Sequence, residues 1–270
     1  MSAKNAKVRK IDARSWLPIL YRSPIKFGEE IISIEQQEAF AEVIVFASSE
    51  ENFLVIRNDP GAIVAYLTVN QEAPFDEFKE IIDRFSKIHL QFSPTAFEWV
   101  KNSFDVYYNY TIRYYTISPP IKEIPLEITP PVKLTEKIPK VKEMISENPL
   151  LQISIEKGIN YGYFEGEELV AYGGEDFVSD KLSIIAVWTD VAHRNKGLAF
   201  SCVKTAIEEI LKTQRTPIYN TDVLNYPSIK IAEKIGFTPF CEFPCAYIGQ
   251  WSTTRTKEDD KVIPDSVFIV

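Results

Sequence analysis

The chain has 270 residues, 45% hydrophobic and 25% charged, a composition that builds a globular protein of one large domain or two ordinary ones. Its formal charge of −8 argues against a general nucleic-acid binder, whose affinity rests on neutralising phosphates. The three cysteines and two histidines offer neither a disulfide framework nor a histidine-rich metal site.

The opening "MSAKNAKVRKIDARSW" is basic but lacks the apolar core of a secretory signal, and no apolar run reaches the ~18 residues of a membrane span. The expectation is a cytoplasmic protein, without a membrane or nucleic-acid partner, working as a monomer or homodimer. The first half reads as strand 61–70, helix 73–85 with Phe75, Phe78, Ile81 and Ile82 inward, strand 87–94, helix 95–104 and an alternating strand 106–117. Prolines at 119, 120, 125, 130 and 131 make the next segment an extended connector, since proline fixes φ and removes a donor.

The second half is better punctuated. A short amphipathic helix is expected over 138–149, two strands within 160–174 around a turn at Glu165–Glu168, and a strand buried on both faces at 181–190. A basic loop, "HRNKG", leads into a helix striped by Ala199, Cys202, Val203, Ala206, Ile207 and Ile210. Strand 216–223, helix 225–237 and strand 241–251 follow, with Asn225 or Ser228 as helix cap and Gly236 as helix stop. The expected fold is a mixed α/β sheet. The first half echoes this order: matching Phe104 to Phe237 aligns Thr95 with Ser228 and Tyr114 with Tyr247, which reads as a degenerate internal duplicate.

The chemistry concentrates at residues 188–204. A helix N-terminus offers unpaired N–H groups and a partial positive charge to an anion. Gly197 lets the backbone come close to a ligand, and Arg194 and Lys196 add charge-assisted bonds. At the matching junction of the first half stand Asp76 and Glu77, which repel an anion, and no glycine.

Arg194-Asn195-Lys196-Gly197-Leu198-Ala199 fits the Arg/Gln-x-x-Gly-x-Gly/Ala loop of the GNAT N-acetyltransferase superfamily. Asn225, Ser228, Gly236 and Phe237 fit its following Asn-x-x-Ser helix that ends in Gly-Phe, 28 residues beyond Gly197. Over about residues 132–250 the chain resembles this family. The resemblance implies two tandem GNAT-like domains: a degenerate one at 1–117, a connector at 118–131, the acetyltransferase domain at 132–251 and a tail at 252–270. It further implies acetyl-CoA as acyl donor and direct attack by a primary amine of a small molecule or peptide. The pyrophosphate of coenzyme A would rest on Asn195, Lys196, Gly197, Leu198 and Ala199 with Arg194 alongside. Its pantetheine arm would pair with the backbone of Val187, Trp188 and Thr189, and Asn225 and Ser228 would contact it near the thioester.

The usual acid and base of the family have no counterpart here, because Ser183 and Ile185 stand in the strand region of the glutamate and Ala232 in place of the tyrosine. By strand position Glu175, Asp176 and Asp222 are the candidate bases, and Tyr219 or Tyr226 could protonate the departing thiolate. Two alternative functions stay open: a coenzyme A-binding regulatory protein without turnover, and an enzyme similar to glycine N-acyltransferases that uses a bulkier acyl-CoA.

Overall fold

The structure, a computed structural model, describes residues 7–35, 43–59, 62–119, 121, 128–147 and 150–249. The tail at 252–270 and residues 122–127 of the connector lie outside the described residues. No helix among the described residues is long and apolar enough to cross a membrane.

The described residues form two compact units, one within residues 7–113 with 242–249 and one within residues 114–241. The first unit contains β1 (Arg9–Ile11), α1 (Ala13–Leu20), α2 (Gly28–Glu35), β2 (Val43–Ser49), β3 (Asn52–Asp59), β4 (Ala62–Thr68), α3 (Phe75–Ile82), β5 (Lys87–Phe92) and α4 (Phe97–Ser103). The long strand β6 (Val106–Thr116) starts in this unit and ends in the second. The second unit runs through β7 (Val132–Lys133), α5 (Pro139–Glu147), α6 (Leu150–Lys157), β8 (Asn160–Glu165), β9 (Glu168–Val178), β10 (Leu182–Thr189), α7 (Leu198–Ile210), β11 (Thr216–Asp222) and α8 (Tyr226–Ile235). Strand β12 (Thr238–Gly249) starts there and ends in the first unit.

The order strand, two helices, three strands, helix, strand, helix, strand therefore occurs twice. In each copy three antiparallel strands lead to a parallel pair joined by a helical crossover, β4 with β5 and β10 with β11. Parallel neighbours need such a crossover because a tight turn cannot reverse the chain twice.

The compact units do not divide at the proline-rich connector. Cys245–Gly249 of β12 pair antiparallel with β5, and Ala246 and Ile248 enter the first unit's core with Leu67, Phe78, Ile88 and Leu90. In the other direction, Tyr115 and Ile117, at the end of β6 and just past it, are buried in the second unit's core with Cys202, Val203, Ile207, Tyr219 and Phe237. Strand and helix meet closely there: a Cβ on Gly173 of β9 would lie 2.6 Å from Val203 of α7, so only glycine allows this packing.

In the first unit, helix α2 sets charges beside apolar residues. Arg57 is buried, donates to Ser33 Oγ at 3.0 Å and lies 4.0 Å from Glu29. Burial first, and Glu29 second, push the Glu30 carboxyl up to about 8 from an ordinary 4.5. A folded chain that holds this proton more tightly than the unfolded one loses stability as pH rises from about 4.5 to about 8. We expect Glu30→Gln to match the wild type in urea unfolding near pH 4 and to exceed it by ~1 kcal/mol above pH 8. Equal pH dependence of the two proteins would show that Glu30 does not carry this charge.

Candidate active site

The site is built at the C-terminal ends of β10 and β11. Their parallel pairing runs from Leu182↔Thr216 to Ile185↔Tyr219 and stops there. Strand β10 continues to Thr189, still paired with β9 from Ala186↔Gly174 to Thr189↔Ala171, while β11 continues to Asp222. Ala186–Thr189 thus have a strand partner on one edge only, and all four are half-buried. An unpaired strand edge in a cleft offers main-chain N–H and C=O groups to an extended ligand.

Beyond Thr189 the chain makes a short 3₁₀ turn at Val191–His193 and enters α7. Asp190 caps the turn by accepting from Ala192 N at 2.9 Å, and its Oδ1 lies 2.8 Å from His193 Nδ1. The hydrogen bond with His193 holds the Asp190 carboxyl below its ordinary range. His193 Nε2 lies 3.0 Å from Glu165 Oε2, which ties the loop to the end of β8. Arg194 Nε donates to Thr189 O at 3.3 Å.

Asn195 and Gly197 both take left-handed backbone conformations, with φ of 62° and 78°. Such a turn points successive N–H groups to one side, and Gly197 adopts it without steric cost. Helix α7 begins with no side-chain cap and no acidic residue in its first turn, and the first bond back to Gly197 O comes from Ser201 N at 3.0 Å. Water or an anion can satisfy the N–H groups of such an exposed, uncapped N-terminus.

The first unit has the same two strands and a different ending. Pairing of β4 with β5 runs to Leu67↔Phe92, and Ser93 N then donates to Leu67 O at 2.9 Å. Ser93 Oγ accepts from Val69 N at 3.1 Å, and Thr95 Oγ1 donates to Val69 O at 2.5 Å. These bonds hold the strand ends together. Helix α3 also carries Asp76 and Glu77 in its first turn, which disfavours an anion there.

Helix α8 begins over the end of β11. Asn225 Oδ1 accepts from Ser228 N at 3.3 Å, so Asn225 is the helix cap. Ser228 is 9% exposed, and its Oγ lies 2.7 Å from the Tyr219 hydroxyl. Burial pushes the Tyr219 phenol well above its ordinary range.

Three of the sequence candidates for catalysis, Glu175, Asp222 and Tyr226, have different surroundings. Glu175 is buried and engaged on both oxygens: Oε2 accepts from Ile159 N at 2.7 Å, and Oε1 accepts from Ser183 Oγ and lies 3.0 Å from Arg215 Nε. The Arg215 contact is an ion pair by distance, without the alignment of a hydrogen bond. Burial raises the Glu175 carboxyl, against the Ser183 bond and the Arg215 charge. Asp222 is also buried. Its Oδ1 accepts from Leu224 N at 2.7 Å, while its Oδ2 has no hydrogen-bond partner among the described residues. Burial raises this carboxyl too. Tyr226 is 63% exposed at the start of α8.

Two features lay beyond the sequence reading. Thr221, next to Asp222, is buried with an unpartnered Oγ1. A β-bulge in β9 at Asp176 shifts the register so that Ile184 faces Phe177 and Ile185 faces Glu175. Asp176, Tyr172 and Ala186 line a cavity of about 20 Å³ beneath α5 and α6, room for about one water.

In the second unit two parallel strands thus part beside a helix with an uncapped N-terminus and a basic entrance. A family model described as GNAT acetyltransferase matches residues 154–246. A search of curated proteins gave no match. Among solved structures, the chain is similar to a Drosophila protein, with a TM-score of 0.66 and 11% identity over 90% of this chain and 99% of that one. It is similar to a GCN5-related N-acetyltransferase from Kribbella flavida, with a TM-score of 0.55 and 13% identity over 82% and 95%. A tandem GNAT protein from the clavulanic acid biosynthesis pathway aligns with a TM-score of 0.54 and 11% identity over 91% and 100%.

The bonds to Glu175 mark it as a residue that holds the bulged strand in place. Glu175→Ala leaves Ser183 and Ile159 N without their acceptor and Arg215 without its counter-ion. We expect a loss of ~3 kcal/mol in denaturant unfolding.

Proposed function

We propose that the second unit is an N-acetyltransferase that takes acetyl-CoA as acyl donor and transfers the acetyl group to a primary amine of a small molecule or peptide. The observation that supports this most strongly is the parting of β10 and β11 after Ile185↔Tyr219, next to the uncapped N-terminus of α7. Arg194, Lys196 and the N–H groups of residues 195–199 suit the pyrophosphate, the free edge at Val187–Thr189 suits the pantetheine arm, and Asn225 and Ser228 stand near its thiol end. The first unit takes no donor, because its strand ends are bonded shut and its helix start is acidic.

In this reading the amine attacks the thioester directly, so the protein's part is to place the two reactants and accept a proton. Asp222 is the base we assign. Its buried, raised carboxyl has one oxygen without a partner, and a base of raised pKa works close to neutral pH. The solvated ring of Tyr226 suits a place at the mouth of the cleft.

Calorimetry should find one acetyl-CoA bound per chain, with a rise in melting temperature. Gly197→Glu should weaken binding at least tenfold, about 1.4 kcal/mol. The added side chain meets nothing within 4 Å of its Cβ, so it acts through charge and backbone strain rather than collision. Two sites per chain, or undisturbed binding by Gly197→Glu, would remove the assignment. Asp222→Asn should bind acetyl-CoA as the wild type does, lower kcat about 10²-fold and abolish the rise of rate with pH that a carboxylate base produces. A variant with wild-type kcat on an acceptor amine would exclude Asp222 as the base.

A further inference from the structure

The side chains around the parted strands sort by face. Ile185 and Tyr219, the last pair of β10 with β11, both pack into the core under α7 and α8. Three residues further along the two strands stand Trp188 and Asp222. Side chains alternate along a strand, so both belong to the opposite face, the one under α5 and α6. Tyr172 agrees with this. It pairs with Trp188 across β9 and β10, and the two rings stack with centroids 6.1 Å apart and planes at 29°. Tyr172 also packs with the apolar cluster of Leu134, Val141 and Leu169, which Met144 and Ile145 of α5 join.

Where the strands end, the surface is apolar around one carboxylate. Trp188 and Tyr172 are half-buried. Val191, two residues past the end of β10, is 70% exposed, and Leu224, two residues past the end of β11, is 63% exposed. Tyr226 follows, equally exposed. Leu224 N donates to Asp222 Oδ1 at 2.7 Å and Tyr226 N to Leu224 O at 3.0 Å, which fixes the backbone of both beside Asp222. Single exposed apolar side chains need no reason, but three large ones grouped at the ends of two strands mark a contact surface. Next to it Asp222 Oδ2 is buried without a partner among the described residues, a costly state for a carboxylate until a cation meets it. Asn220 and Asp176, the latter lining the small cavity under α5 and α6, stand on this face nearer the paired part of the strands.

We propose that the acceptor is a small primary amine on an apolar body, aromatic or branched aliphatic, which enters from the α5 and α6 face. Its body rests on Trp188 and Tyr172 with Leu224 at the outer side, and its ammonium meets Asp222. The inference rests on the acetyltransferase reading above and narrows its second substrate. The groups assigned there to the donor lie at the start of α7 and on α8, so the face that carries Asp222 and Trp188 is left for the acceptor. An apolar body removes its own surface and that of Trp188 and Leu224 from water together. An amino alcohol or amino sugar would instead leave hydroxyl groups against rings and a leucine that offer them no hydrogen bond.

The test follows thiol release from acetyl-CoA with 2-phenylethylamine and 3-methylbutylamine as apolar acceptors and with ethanolamine and glucosamine as polar ones. In the wild type, kcat/KM for 2-phenylethylamine should exceed that for ethanolamine, an amine of similar basicity, at least ~10-fold and mainly through KM. Trp188→Ala and Leu224→Ser should each lower this ratio at least ~3-fold. The ratio is taken within one protein, so a change in overall activity or in donor binding cancels. Leu224 is exposed, so its variant keeps the test alive should Trp188→Ala fail to fold. Polar amines turned over as well as apolar ones, or a ratio unchanged in the folded variants, would overturn the inference. If acetyl-CoA binds in calorimetry and neither apolar amine is acetylated, the inference falls while the cofactor site stands. If acetyl-CoA fails to bind, the acetyltransferase reading falls and this inference with it.

Discussion

The structure of the second unit turns on a hydrogen-bond ladder that stops early. Parallel strands gain by pairing along their full length, yet β10 and β11 pair over four residues and then separate, leaving Ala186–Thr189 with one free edge. The unpaired edge is tolerable because it is only half-buried, so that water reaches its polar groups. Everything assigned to the site stands around that parting. Tyr219 marks its apex, α7 begins at its mouth, and α8 leans over β11 with Ser228 turned inward.

The first unit ends the same strands differently. Its parallel pair closes to the last residue, and Ser93 and Thr95 bond Leu67 and Val69 where the second unit opens. One scaffold thus occurs twice with opposite endings. What distinguishes them is a few polar groups at the strand ends, not the core. The exchange of strand ends keeps the copies dependent on each other: β5 pairs with a segment that follows α8 by chain order, and the second unit buries Tyr115 and Ile117 from before the connector. A cut at the connector would take from each copy a strand that its core requires.

Much of this was legible in the chain. The 3.6-residue stripe of α7, the apolar run of β10, the Gly-Phe ending of α8 and the loop 194–199 all report local demands, so they can be read one segment at a time. Helices α1, α2 and α6 and strands β1, β2, β3 and β7 leave no such local mark, since their patterns are short and their faces are set by distant partners. Of the catalytic candidates, Glu175 and Asp222 look equivalent in sequence, each an acidic residue on a strand. They differ only in what surrounds them, with three partners around Glu175 and an empty position at Asp222 Oδ2.

The sequence by itself determined the loop at 194–199, because it is made of consecutive backbone groups and one glycine whose φ of 78° no other residue adopts as readily. It also determined that the chain repeats itself, because a repeated order of elements is written in local patterns. The tertiary structure alone decided where strands part and which buried polar atoms lack a partner. Those depend on hydrogen bonds between residues far apart in the chain, such as Ile185 with Tyr219 or Ser93 with Leu67, and no local pattern records whether such a bond is made.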